Sequence, residues 1–467
     1  HDWISMLLSW ISLGMLYLPS LALDFTLRHI HHAHGVTGHI LWADVDVAVA
    51  SDGNVYTLAT QSFTIQKPIL LDQRVHVPRT FRTGQNWKSH EIIGPATNKR
   101  ETLLALAKMT NNAYFKDSKT IGWYDLGGKW TNVKPLFSLI YFTKKQQDHS
   151  IGYDPSTSGF RGHVFVSHDN RTAVLSIKGT SAVVFGGSAT VFKDKLNDNL
   201  LFSCCCARVD WTWIPVCGCA RSGGRCDQSC VESSLQTDGL FYEIGVNLYN
   251  NLTYMYPDAQ IWVVGHSLGG SLASLVGATF GAPVVAFEAP GERLAAQRLH
   301  LPIAEDALHI THVYNTADPI PMVRLSFFSL SSVVDFLGAD GGGRERVRVR
   351  RRFVTREDMR WRRGKSALEY QVSDSNFFRC HLGQTIVYDT LSILHWASDI
   401  RSHFINTIID QLLDEDWSTK VKKSKKSRFP WPWSDEPGDA KVVEVPEPTS
   451  EIDCTECFNW EYGDFPE

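Results

Sequence analysis

From residue 162 onward the hydrophobic positions fall into short, nearly continuous runs separated by segments of helical period. "GHVFVSHDNRTAVLSIKGTSA" (162–182) holds two strand-like runs joined at His168-Asp-Asn-Arg, a hairpin signal. "DGLFYEIGVNLYNNLTYMYPDA" (238–259) has the spacing of a helix. "QIWVVGHSLGGSLASLVGATFG" (260–281) is a buried strand, a glycine-rich turn, then a helix of small residues. "APVVAFEAPG", "HITHVYNTADP" and "TIVYDT" predict three more strands, and "SDIRSHFINTIIDQLLDED" (398–416) an amphipathic helix. Runs without polar alternation suit strands buried on both faces. Their alternation with helices predicts an α/β domain with a largely parallel central sheet. Earlier in the chain the pattern is mixed, apart from a buried helix in "KRETLLALAKMTNNAYF" (99–115).

The 467 residues are 43% hydrophobic and 21% charged, enough for a packed core in one large domain with appendages or in two domains. A net charge of −4 excludes a nucleic-acid-binding polycation. Residues 3–23 carry no charge and match a bilayer span, so residues 1–23 are read as an uncleaved membrane anchor in preference to a signal peptide. The remainder then enters the secretory lumen. His29, His31, His32 and His34 lack an acidic or cysteine partner nearby, and a polar segment is preferred there over a metal site. The sequons at Asn170 and Asn251 are glycosylation acceptors in a luminal chain.

Ten cysteines fit the same compartment. Cys204, Cys205, Cys206, Cys217, Cys219, Cys226 and Cys230 crowd one loop, followed by Cys380, Cys454 and Cys457. Disulfides are expected rather than zinc, because an oxidising lumen disfavours free thiols. Adjacent cysteines pair with later ones in the loop, forming an excursion placed to cover the active site. The odd seventh needs an outside partner, with Cys380 the first choice. Cys454-x-x-Cys457 is read as a structural disulfide. Residues 418–467 are read as a charged, proline-rich disordered linker followed by this cysteine-containing tail.

The chemistry centres on Gly265-His266-Ser267-Leu268-Gly269, the G-x-S-x-G pattern, lying between a strand and a helix as a nucleophile elbow requires. Ser267 is the expected nucleophile, and His266 is read as structural. A serine needs an imidazole base, and the base needs a carboxylate to fix its tautomer. Asp318, just past a later strand, is preferred as that acid over Asp389. His381, His395 and His403 are the available bases. The oxyanion donors are the Leu268 N–H and the loop carrying Thr180, whose hydroxyl offers a third donor. No metal or other cofactor is called for.

The strings "LSIKGT", "GHSLGG", "FGAPVVAFEAPGE", "HITHVYNTADPIPM", "CHLGQTIVYDT" and "DIRSH" resemble the fungal autophagy lipases of the class 3 lipase group. The resemblance covers nearly the whole chain. It implies an α/β-hydrolase with a disulfide-rich insertion, its luminal domain spanning residues 24–417. It implies Ser267, Asp318 and His403 as the triad. It further implies a type II membrane glycoprotein that reaches the vacuole through the Golgi and multivesicular endosomes. There it would hydrolyse membrane phospholipids of autophagic and intraluminal vesicles. The departure from the family is residues 323–379, longer and arginine-rich. They are read as an anionic-ligand patch, a solvated loop or, preferably, translated intron. If real, the insert would threaten the placement of His403, and the alternative function is a lipid-binding protein with a broken triad, or another esterase of this fold.

Overall fold

The computed structural model describes residues 25–34, 39–44, 58–68, 87–115, 119–126, 159–167, 170–180, 191–206, 215–236, 240–303, 307–322, 379–428, 443–451 and 453–465. In chain order the strands are β1 (Phe25–His34), β2 (His39–Asp44), β3 (Thr60–Pro68), β4 (Trp87–Pro95), β5 (Arg161–Ser167), β6 (Thr172–Ile177), β7 (Ala220–Arg221), β8 (Arg225–Asp227), β9 (Gln260–His266), β10 (Val284–Phe287), β11 (Ile310–Asn315), β12 (Gln384–Tyr388), β13 (Thr449–Ser450) and β14 (Glu461–Gly463). The helices are α1 (Arg100–Asn112), α2 (Val191–Leu201), α3 (Gln228–Ser234), α4 (Phe241–Met255), α5 (Leu268–Phe280), α6 (Arg293–Arg298), α7 (Pro319–Met322) and α8 (Trp417–Arg428). The expected anchor and most of residues 323–379 lie outside the described residues. No described helix is long and apolar enough to cross a membrane.

Nine strands form the main sheet, in the order β13-β12-β11-β10-β9-β6-β5-β1-β2. The segment β6-β9-β10-β11-β12 is parallel, and antiparallel pairs complete both edges. The parallel core and the β5–β6 hairpin match the sequence pattern. Alternate side chains of β9 serve two cores. Ile261 and Val263 pack with Leu248, Leu272 and Leu275 on one face. Trp262 and Val264 pack with Leu103, Leu106 and Met109 of α1 on the other. Each such side chain removed from water stabilises the fold by roughly 1.5–3 kcal/mol. The buried Trp262 ring also donates to the Ile93 carbonyl at 2.9 Å, tying the β3–β4 ribbon to the sheet.

Three elements differ from the pattern-based reading. The stretch with the four histidines is strand β1, paired with β2 and β5. Residues 400–412 are not one helix. A 3-10 turn (Ile400–His403) breaks at Phe404, whose ψ of 133° is extended, before a short helical and π-helical run. Residues 418–428, read as linker, form α8 together with Trp417. Trp417 is buried edge-on against Tyr388, and Lys420 and Lys423 pair with Asp414 and Glu415.

The cysteines form Cys204–Cys457, Cys205–Cys226, Cys206–Cys217, Cys219–Cys230 and Cys380–Cys454. The outside partner of the loop is therefore Cys457 rather than Cys380, and Cys454 and Cys457 do not pair with each other. The physical reason is the path of the tail. It adds β13 to the sheet edge at β12, then β14 beside β8, carrying one cysteine to each place. Closing a loop as long as the 253-residue separation of Cys204 and Cys457 is worth about 5 kcal/mol by chain entropy.

The tail is also held by a buried ion pair. His381 Nδ1 lies 3.1 Å from Glu451 Oε1, and its Nε2 donates to the Ala289 carbonyl at 3.0 Å. Burial works against a charged His381, but the Glu451 and Glu292 carboxylates and the Ala289 carbonyl prevail and raise its pKa to about 9. Burial likewise opposes an ionised Glu451, yet the His381 imidazolium and the Tyr314 hydroxyl hold it down at about 2. The raised histidine stabilises fully below its unfolded value of 6.5, and this is lost as pH rises through about 9. The depressed carboxyl stabilises fully above 4.5, and this is lost as pH falls through about 2. The half-buried Glu456 beside them, its carboxyl pushed up to about 8, is common to wild type and variant. Glu451→Gln should therefore cost about 3 kcal/mol between pH 4.5 and 6.5, with the deficit shrinking toward pH 9 and pH 2. Thermal melts across that range measure it, and a pH-independent deficit would contradict the assignment.

Candidate active site

The site is built on the turn from β9 into α5. Ser267 sits there at φ 56°, ψ −133°, a left-handed conformation that a side chain other than glycine rarely adopts. Its neighbours make that geometry affordable only as glycines. A Cβ at Gly265 would lie 2.1 Å from the Gly269 carbonyl oxygen, and one at Gly269 would lie 2.3 Å from that of Ile177. Strand, helix and the end of β6 are thus in backbone contact around one serine. The Ser267 N–H donates to the Phe287 carbonyl at 3.0 Å, anchoring the turn to β10.

His403 Nε2 is 2.9 Å from Ser267 Oγ, and His403 Nδ1 is 2.7 Å from Asp318 Oδ2. Asp318 is fully buried and also accepts from the Ile320 N–H at 2.9 Å. The three side chains meet although residues 323–379 intervene between acid and imidazole. His381 and His395 do not join them. His381 serves the tail ion pair, and His395 is exposed. Asp389 accepts from Thr316 and from the Ser392 N–H in its own turn.

Two buried residues that no sequence pattern singles out brace the loops of acid and base. Asn315, at the end of β11, donates to Glu288 at 2.7 Å and to the Ser402 carbonyl at 3.1 Å. Its Oδ1 accepts from the Ala317 N–H at 3.0 Å, just before Asp318. Glu288 ends β10 at φ 45°, fully buried. Burial first, and then the adjoining Asp318 carboxylate, push its pKa well up. Its position in "AFEAPG" gave one usable signal, a carboxyl at the carboxyl end of a buried strand.

Thr180 closes the site at the end of β6. Its hydroxyl donates to Asp198, so as long as Asp198 is ionised that hydrogen is committed and the expected third donor is not supplied. Burial pushes Asp198 up to about 7. Below that pH the Asp198 acid can donate to Thr180 instead and release the threonine hydrogen. Leu268 is buried at the first turn of α5, with its N–H at the positive end of the helix. The two sequons differ in setting: Asn170 is exposed in the β5–β6 turn at φ 56°, whereas Asn251 is half-buried within α4.

Among the described residues, two groups bring three metal-ligand atoms together. In one, Cys206, Cys217 and Cys219 are consumed by disulfides. In the other, Glu292, His312 and His381, the last directs both ring nitrogens to oxygen acceptors and so offers no lone pair.

The class 3 lipase pattern matches residues 239–328, the stretch from α4 through α7 that carries Ser267 and Asp318. A Cryptococcus neoformans var. neoformans protein (serotype D, strain JEC21) named as lipase ATG15 is 36% identical over 85% of this chain and 74% of its own length. A Mycosarcoma maydis protein of the same name is 38% identical over 82% and 70%. The crystal structure of Lip2 lipase from Yarrowia lipolytica aligns with 47% of this chain and 72% of its own at 19% identity, with a TM-score of 0.22, too loose a superposition to add to the topology above. The chain belongs to the ATG15 lipase family, an α/β-hydrolase of the class 3 lipase group and an ester hydrolase.

Proposed function

We propose that this protein is a serine-triad lipase that cleaves acyl esters of membrane glycerophospholipids. The observation that carries the reading is the unbroken hydrogen-bonded chain from Ser267 through His403 to Asp318 at a strained elbow. His403 Nε2 takes the Ser267 proton as Oγ attacks the ester carbonyl. The buried Asp318 holds the Nδ1–H tautomer and stabilises the imidazolium that forms. The Leu268 and Thr180 N–H groups are the proposed donors to the oxyanion. His403 then returns the proton to the leaving alcohol, and a water activated by the same imidazole releases the fatty acid. An acidic lumen suits this reading, because below about pH 7 the Asp198 acid leaves the Thr180 hydroxyl available as a further donor.

The family name points to autophagy and the vacuole. In our reading the uncharged residues 3–23 anchor the chain as a single-pass type II protein that travels through the Golgi and endosomes. The substrate surface is then the membrane of autophagic bodies and intraluminal vesicles. Five disulfides agree with a luminal setting, and Asn170 is the better exposed of the two glycosylation acceptors.

Ser267→Ala should abolish fluorophosphonate labelling and lower ester hydrolysis at least about 10³-fold, without a comparable loss of thermal stability. Asp318→Asn should lower kcat by about 10⁴-fold, since the amide favours the wrong imidazole tautomer. For the substrate, the purified chain should release fatty acid from phosphatidylcholine–phosphatidylserine vesicles as well as hydrolyse p-nitrophenyl butyrate. Hydrolysis of the soluble ester with intact vesicles would leave an esterase and remove the membrane substrate.

A further inference from the structure

The residue before the nucleophile is bonded to the base. His266 is buried at the end of β9, and its Nε2 lies 2.7 Å from the backbone carbonyl oxygen of His403. Its Nδ1 lies 2.7 Å from the Tyr114 hydroxyl, which follows α1. The two imidazole rings stand 4.7 Å apart, centroid to centroid. Chemistry fixes every hydrogen in this chain. A carbonyl only accepts, so Nε2 must carry the proton, and in the neutral ring Nδ1 is then the lone pair. The Tyr114 oxygen accepts from the Gly179 N–H, so its own hydrogen goes to Nδ1. Gly179 has to be glycine for this approach: a Cβ there would lie 2.4 Å from the Tyr114 hydroxyl oxygen and 2.3 Å from the His266 carbonyl oxygen.

We infer that His266, oriented by Tyr114, is a positioning residue that sets the distance between Ser267 and His403. The inference rests on the triad reading above. His403 ends a short 3-10 turn that breaks at the next residue, so its backbone has no regular element to hold it on that side. On one side the Ser402 carbonyl is bonded by Asn315 of the acid's strand. On the other, the His403 carbonyl is bonded by the residue adjoining the nucleophile. The ring Ser267 Oγ, His403 Nε2, His403 carbonyl, His266 Nε2 and the 266–267 peptide is thereby closed. Displacement of a reacting group by about 1 Å costs on the order of 10²-fold in rate.

The charge state suits the task. Burial, and then the facing His403 ring, hold the His266 pKa well below 6.5. This favours the uncharged ring, the form that donates from Nε2 to the His403 carbonyl and accepts at Nδ1 from Tyr114. A second positive ring 4.7 Å away would oppose the imidazolium that must form on His403. The other charged groups around Tyr114 are Lys178, over its ring at 5.7 Å, and Asp194 and Asp198 beside it. Lys178 and Asp194 pair with each other at 3.2 Å, which neutralises both.

The test uses the full chain and p-nitrophenyl butyrate, with a fluorophosphonate probe for the reactivity of Ser267. His266→Leu should lower kcat and the labelling rate about ten- to a hundredfold with KM little changed. His266→Gln, whose amide N–H reaches the place of Nε2, should keep kcat within about threefold. Tyr114→Phe should lower kcat by an intermediate factor, and it decides the matter should His266→Leu fail to fold. Wild-type kcat in His266→Leu or Tyr114→Phe, or a Gln variant as slow as the Leu variant, overturns the positioning role. Activity surviving Ser267→Ala overturns the triad reading beneath it instead. That control separates the two failures.

Discussion

Everything in the site hangs on a backbone-to-backbone contact. β9, α5 and the end of β6 approach so closely at Gly265 and Gly269 that no side chain fits between them. That approach forces Ser267 to positive φ, which costs on the order of 1–2 kcal/mol for a residue with a Cβ. Burial of β9 and α5 in the cores on both sides of the sheet offsets it many times over. The same contact lays Gly179 against the His266 backbone and the Ser267 side chain, so Thr180 arrives at the serine without any separate device.

Asp318 and His403 reach Ser267 from loops although residues 323–378 separate them in the sequence. β11 and β12 are parallel neighbours, so the chain must leave one end of the sheet and re-enter at the other. Asp318 is fixed before the chain departs, by β11, Asn315 and the α7 turn. The re-entry point is fixed by Cys380–Cys454, and by Gly291, whose missing Cβ leaves room for the Cys380 backbone. The β12 register then sets where the His403 turn begins.

How much of this was legible in the sequence follows from where the information lies. Strands buried on both faces write themselves as unbroken apolar runs, and so β9, β10 and β11 were readable, as was the elbow between two glycines. β1 was not, because its polar and histidine-rich alternation reads as a loop as readily as a strand, although β1 pairs on both sides. Helix α8 lacks an apolar stripe and is held mainly by Trp417 and neighbouring ion pairs. Disulfide partners depend on the path of the tail, which no spacing rule encodes. Asn315 and Tyr114 act through contacts made only after folding, so nothing near them in the chain announces a role, and Glu288 offers only its place after a buried strand.

The two long-range disulfides have a consequence for a chain that is cut. Ser267 and Asp318 lie before residues 323–378, and His403 lies after them. A cut within that segment would divide the hydrogen-bonded Ser267, Asp318 and His403 between two polypeptides. Cys204–Cys457 would still join the pieces, and a cut within residues 429–442 would be bridged by Cys380–Cys454 as well. The folded protein can thus exist as a nicked two-chain molecule, migrating as one species until its sulfur bridges are reduced.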